Sequence, residues 1–158
     1  MDVTLRRPVG WGAWWWLTRT GLSPELVGRQ YHWAETPLQL VIAPLRGAPW
    51  PRGPRWLVEV DGRRAGYIGR NPLSGNVEYL LRPWARGGGR GGAAITAFLR
   101  AGREDGWPNT FFVAHHNARS RAALVQSLGA AGLVEGDGYS VADGRHGQRF
   151  TVPPRPGR

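Results

Sequence analysis

A chain of 158 residues, 41% hydrophobic and 20% charged, has the size and composition of one folded domain that buries a core without staples. Cys is absent, which excludes disulfides, thiolate metal sites and a Cys nucleophile. No apolar run reaches the length of a membrane span and residues 1–7 lack a signal-peptide layout, so a cytoplasmic protein with no metal and no membrane partner is expected. The 21 basic residues behind the formal charge of +10 are all Arg; scattered beside 24 Gly and 13 Pro, they resemble compositional bias more than a nucleic-acid surface, while still favouring anionic ligands.

In chain order, residues 3–7 read as a short strand ended by Pro8. A dense aromatic cluster follows at Trp11, Trp14, Trp15 and Trp16. Ser23-Pro24-Glu25 has the form of an N-cap with Pro at the first helical position, opening a helix to about Gln30. Residues 36–54 are Pro-rich, and 38–42 fit strand or helix equally. From Arg55 the pattern clears: Trp56, Val58 and Val60 alternate with Leu57 and Glu59, as in a half-buried strand. Asp61-Gly62 is a hairpin signal, 65–70 the returning strand, and 76–81 a third strand after a second turn, together an antiparallel meander.

Pro83 closes that meander, and Arg86-Gly87-Gly88-Gly89-Arg90-Gly91-Gly92 leads into a helix over about 91–103, with Ile95, Phe98, Leu99 and Gly102 at helical spacing. A compact apolar strand at 110–114, a second amphipathic helix over about 117–131 and a closing hairpin of 139–142 and 149–152 complete the order. Residues 153–158 read as a loose tail. The whole is an α+β fold, a mixed and mostly antiparallel sheet flanked by helices.

The Gly-rich segment is the most informative stretch. Glycine allows close backbone approach and positive φ, and free N–H groups at a helix start favour phosphate or pyrophosphate. A P-loop needs Gly-Lys-Ser/Thr, and the chain has no Lys. Gly87-x-Gly89-x-x-Gly92 matches the dinucleotide fingerprint, but that motif belongs to a parallel βαβ unit, and here the acids Glu104 and Asp105 end the helix.

A third pattern fits better. Arg86-Gly87-Gly88-Gly89-Arg90-Gly91 matches the pyrophosphate turn Arg/Gln-x-x-Gly-x-Gly/Ala, with Glu78-Tyr79-Leu80-Leu81 before it and Asn117-Ala118-Arg119-Ser120 opening the next helix. In these motifs the chain resembles the GNAT superfamily of N-acetyltransferases, and most closely the branch that includes the Rim-type ribosomal-protein N-terminal acetyltransferases. The resemblance covers residues 55–152 and the first strand. It implies one domain over 1–152 with the acceptor side in 1–54, and a central sheet of six to seven strands splayed at the strand that meets the cofactor.

The resemblance further implies direct acyl transfer from acetyl-CoA, or another acyl-CoA, to a primary amine of a small molecule or a protein N-terminus, with a homodimer as one expected assembly. Pantetheine would pair with the backbones of Tyr79, Leu80 and Leu81. The pyrophosphate would sit on Gly87, Gly88, Gly89, Gly91 and Gly92, with charge from Arg86 and Arg90 unless these are merely solvated. Asn117 would bind the pantetheine arm or act as a helix N-cap. Glu78 is the implied general base, through water, against the alternative of an exposed strand carboxylate. Ser120 matches the position whose hydroxyl reaches the CoA sulfur, against the alternative of helix capping. His115 and His116 fit a loop or core role. Val125 stands where many relatives place a Tyr acid, so Ser120, Tyr139 or solvent must replace it. The Trp cluster is either an aromatic acceptor wall or core and dimer packing.

Overall fold

The computed structural model describes residues 2–7, 10–21, 56–70, 75–102 and 108–154. The expected helix at 23–30 and the ambiguous segment at 38–42 lie outside the described residues.

Strands β1 (Val3–Arg6), β2 (Trp56–Val60), β3 (Arg63–Arg70) and β4 (Val77–Leu81) form one antiparallel sheet in that order. Asp61 and Gly62 both take positive φ, 50° and 76°, as the expected Asp-Gly hairpin between β2 and β3 requires. Helix α1 (Gly10–Gly21) joins β1 toward β2, and a short 3-10 turn at Pro83–Ala85 follows β4. Helix α2 (Arg90–Gly102), strand β5 (Asn109–Ala114), helix α3 (Ala118–Ala130), and strands β6 (Ser140–Asp143) and β7 (Gly147–Val152) complete the described elements. The last three strands form a second antiparallel sheet in the order β5-β7-β6.

The first helix was not expected from sequence. Gly10, Gly12 and Gly21 are poor helix formers, and the Trp run masks periodicity. Yet Ala13, Leu17 and Thr20 are buried at helical spacing, and this stripe docks α1 on the sheet.

Alternation along the strands separates two apolar clusters. Val58, Val60, Ile68, Val77 and Leu81 face Ala94, Ile95, Phe98 and Leu99 of α2 and Leu124 and Leu128 of α3. Leu57, Tyr67 and Leu80 turn to the opposite face, where Ala13, Trp16 and Leu17 of α1 cover them. Thus Tyr79 and Leu81 point to the helical pair, and Glu78 and Leu80 to α1.

The two sheets meet at one end. β4 and β5 run parallel and share a single isolated bridge, Asn76 with Thr110. Beside it Arg70 Nη2 donates to Asn109 Oδ1 at 2.8 Å, with both residues buried. Beyond that junction no ladder joins β4 to β5 among the described residues, and the strands part toward Leu81 and Ala114. This is the splay expected from the resemblance.

Candidate functional site

The open side of β4 follows from register. The Arg82 N–H bonds to the Ala65 carbonyl at 2.8 Å, so Leu80 and Glu78, at alternate positions, direct their backbone groups into β3. The N–H and C=O groups of Tyr79 and Leu81 therefore turn toward the gap before β5. Of the three backbones expected at the cofactor, two face the gap, and Leu80 is committed to its pairing with Tyr67.

Beyond Leu81 the chain bends through the 3-10 turn into the glycine segment. Gly87, Gly88 and Gly89 all take positive φ, at 87°, 56° and 76°, a run that side-chain-bearing residues rarely adopt. Two contacts set the bend: Arg90 N–H donates to Gly87 O at 3.2 Å, and Ala93 N–H to Gly89 O at 2.9 Å. Among the described residues the N–H groups of Gly88, Gly89, Gly91 and Gly92 donate to no carbonyl. They are unused donors gathered within one turn at the positive end of α2, a charge suited to a diphosphate.

Arg86 has a definite place. Its Nε donates to the Leu81 carbonyl at 2.9 Å, clamping the end of β4 to the turn. Sequence reasoning offered only charge or solvation for this residue, because the contact depends on the 3-10 turn folding back. Arg90 is half-buried, and its Nε has no partner among the described residues.

Helix α3 forms the facing wall. Ser127, buried, places Oγ 3.0 Å from the Gly92 carbonyl and 2.6 Å from that of Ala123, so the first turn of α2 rests on α3. Arg100 Nη2 donates to Ala130 O at 2.9 Å further along, so the helices run side by side in the same sense. Ser120 lies about two turns before Ser127, roughly 10 Å along the axis, on the same side of α3. The first turns of α3 thus extend past the start of α2, alongside the gap between β4 and β5.

Asn117 caps α3, its Oδ1 accepting from the Ser120 N–H at 3.1 Å. Its amide NH2 takes no part in that cap. Ser120 is half-buried, and its hydroxyl has no partner among the described residues. Glu78 is half-buried on the α1 face. His115 Nε2 lies 2.8 Å from the Gly144 carbonyl, which fixes it to the β6–β7 turn in the loop role expected of it.

The Tyr-deficient position is also resolved. Val125 is exposed on the far flank of α3, lining a separate cleft of about 630 Å3 with Arg121, Tyr139 and Gln148. Tyr139 is buried with its ring 6.2 Å from that of Phe150. The helix positions Ser120 and Val125 thus look in different directions.

Around Trp16, on the α1 face, Arg82 Cζ stands 5.2 Å and Arg64 Cζ 6.0 Å from the ring centroid. Sequence reasoning flagged the Trp but not these Arg; the Arg64–Trp16 contact needs the α1 docking that the sequence hid. Trp15 is exposed, and the side chains of Trp11 and Trp14 lie outside the described residues. No described group of acidic and His side chains has the geometry of a metal site, and no described helix is long and apolar enough to cross a membrane.

No protein-family model and no curated protein matches the chain. Solved structures do. The ribosomal-protein-S18-alanine N-acetyltransferase of Escherichia coli aligns at a TM-score of 0.61 and 13% identity, over 99% of this chain and 97% of its own. A diaminobutyrate acetyltransferase from Paenibacillus lautus, in complex with L-2,4-diaminobutyric acid and coenzyme A, aligns at 0.57 and 16%, over 99% and 98%. An N-acetyltransferase from Campylobacter jejuni, in complex with acetyl coenzyme A, aligns at 0.57 and 10%, over 96% and 99%. At these identities the likeness concerns the fold alone, which the chain shares with these acetyltransferase structures.

Proposed function

We propose that the protein is an acyl-CoA-dependent N-acyltransferase that moves an acetyl group to a primary amine in a ternary complex. One observation carries the reading: a strand whose backbone edge, open at Tyr79 and at the Leu81 N–H while Arg86 holds the Leu81 carbonyl, leads directly into an amide-lined turn at a helix start. An elongated ligand with a strand-like arm and a diphosphate at one end fits that pair of features. Coenzyme A has this form, and several solved neighbours hold it or its acetyl ester.

The residues divide the work. Gly88, Gly89, Gly91 and Gly92 hold the diphosphate, with Gly87 and Arg86 shaping the turn and Arg86 and Arg90 adding positive charge. The gap-facing backbone of Tyr79 and Leu81 aligns the arm, and the Asn117 amide NH2 donates to it while Oδ1 remains in the cap. Bound acetyl-CoA supplies an activated thioester carbonyl. Glu78, on the opposite face of β4, accepts through water the proton that the acceptor must lose, so that a neutral amine is the nucleophile. Ser120 holds a hydroxyl proton for the departing sulfur. Backbone N–H groups at the strand end offer hydrogen bonds to the acyl oxygen.

The acceptor side then lies on the α1 face and within residues 1–54, in a single unit spanning 1–152. The acceptor is a small amine or a protein N-terminus, as in the Rim-type branch, and the unit works as a homodimer. A competing reading is a binding module without turnover, favoured by Val125 at the usual Tyr position. Release of CoA thiol with a panel of amines decides: turnover supports the enzyme, whereas tight acetyl-CoA binding without any turnover supports the module.

A further inference from the structure

We infer that the acceptor is a small primary amine carrying a carboxylate, and that Arg64 and Arg82, gathered about Trp16, hold that carboxylate on the α1 face of the sheet. The inference rests on the acetyl-transfer reading and narrows its acceptor.

Three observations carry it. The first is position. Glu78, Leu80 and Arg82 alternate along β4, the Arg82 N–H continuing the ladder to Ala65, so all three face α1. Leu80 and Trp16 cover the same apolar cluster of Ala13, Leu17, Leu57 and Tyr67. The proposed base and the guanidinium pair therefore share one face, with an apolar floor between them.

The second is charge. Both guanidinium carbons lie within 6.0 Å of the Trp16 centroid, one at 5.2 Å. Among the described residues neither Arg makes an ion pair; the carboxylate of Glu59 is taken by Arg6 at 2.8 Å. Both guanidiniums thus stand by one indole without a described counter-ion, and an anion bound beside them gains charge-assisted hydrogen bonds.

The third is an unused donor. Arg82 is half-buried, and its Nε is buried with no hydrogen-bond partner among the described residues. A buried guanidinium N–H left without an acceptor is unfavourable, and the planar fork that presents it matches a carboxylate in a bidentate pair. The cation–π contact with Trp16, 5.2 Å from Arg82 Cζ to the ring centroid, restrains the side chain and reduces the freedom lost on binding.

The test compares amines matched except in charge: glycine, β-alanine and γ-aminobutyrate, each against its carboxamide. Initial rates of CoA release are measured with wild type, Arg82→Gln, Arg82→Lys and Arg64→Gln, alongside calorimetric affinity for acetyl-CoA. At least one carboxylate should exceed its carboxamide in kcat/KM by about ten- to a hundredfold, as charge-assisted pairing implies. Arg82→Gln should erase that preference through KM for the carboxylate alone, with Arg82→Lys restoring it in part and acetyl-CoA affinity unchanged. Equal or better turnover of every carboxamide, or a preference that survives in the Arg82→Gln/Arg64→Gln double variant, overturns the inference and leaves acetyl transfer standing. Absence of acetyl-CoA binding in the wild type overturns the acetyl-transfer reading, and the inference with it.

Discussion

Arg70 Nη2 reaches from the end of β3 to Oδ1 of Asn109 at the start of β5, 2.8 Å away and wholly within the protein. Together with the Asn76–Thr110 bridge, this bond closes the V whose open end forms the proposed cofactor gap. Replacing Asn109 by Ala removes an acceptor from a buried cation, so unfolding free energy should fall by about 1.5–3 kcal/mol. Chemical denaturation measures this directly; a variant as stable as wild type would show that the bond does not hold the two sheets together.

The glycine turn makes a second claim. A β-branched side chain at Gly89, where φ is 76°, strains the backbone by about 1–3 kcal/mol. Gly89→Val should therefore raise the Kd for acetyl-CoA about tenfold or more. Arg86→Ala, which frees the Leu81 carbonyl, should weaken the same binding to a smaller degree, because it loosens the bend without blocking it. Titration calorimetry with each variant ranks the two effects, and the opposite order would displace Arg86 from its clamping role.

Gly66 is fixed for a different reason. A Cβ there would overlap the Leu80 carbonyl, so β3 can approach β4 at this point only without a side chain. Gly66→Ala should force β4 away, lower the melting temperature by several degrees and diminish acetyl-CoA affinity at the same time. Unchanged melting would mean that the strand shifts freely at this point.

For the chemistry, Glu78→Gln should lower kcat about a hundredfold while leaving acetyl-CoA affinity intact, since general-base catalysis contributes on that scale and the side chain lies across β4 from the diphosphate turn. Ser120→Ala should have a smaller effect on kcat, because solvent can also protonate a thiolate. Steady-state rates with one good acceptor separate these outcomes. A Glu78→Gln enzyme at full speed would remove that residue from proton transfer.

Much of this arrangement was legible in the sequence because local rules govern it. The Asp61-Gly62 hairpin and the glycine run before α2 follow from the conformational needs of single residues; the alternation through β2 marked its two faces, but the strand is buried on both rather than half-buried, because α1 covers the Leu57 face. The cap at Asn117 is equally local. What escaped sequence reasoning depends on tertiary geometry. The Arg86–Leu81 clamp, the Ser127–Gly92 contact and the Arg64 and Arg82 positions about Trp16 each join residues whose meeting depends on a fold-back or a docking event. The α1 helix was hidden by glycines and by tryptophans whose size obscures its period, although the buried spacing of Ala13, Leu17 and Thr20 carries the signal. The division of Tyr79 and Leu81 from Leu80 required a hydrogen-bond register, which composition cannot supply.

The central claim is that the free edge of β4 and the turn at Gly87–Gly92 form one binding site for an acylated coenzyme A. Titrating acetyl-CoA into the wild-type protein in a calorimeter tests it most directly. Saturable one-to-one binding, lost or strongly weakened in Gly89→Val, is the predicted result; an isotherm showing no binding, or binding indifferent to Gly89→Val, would contradict the account.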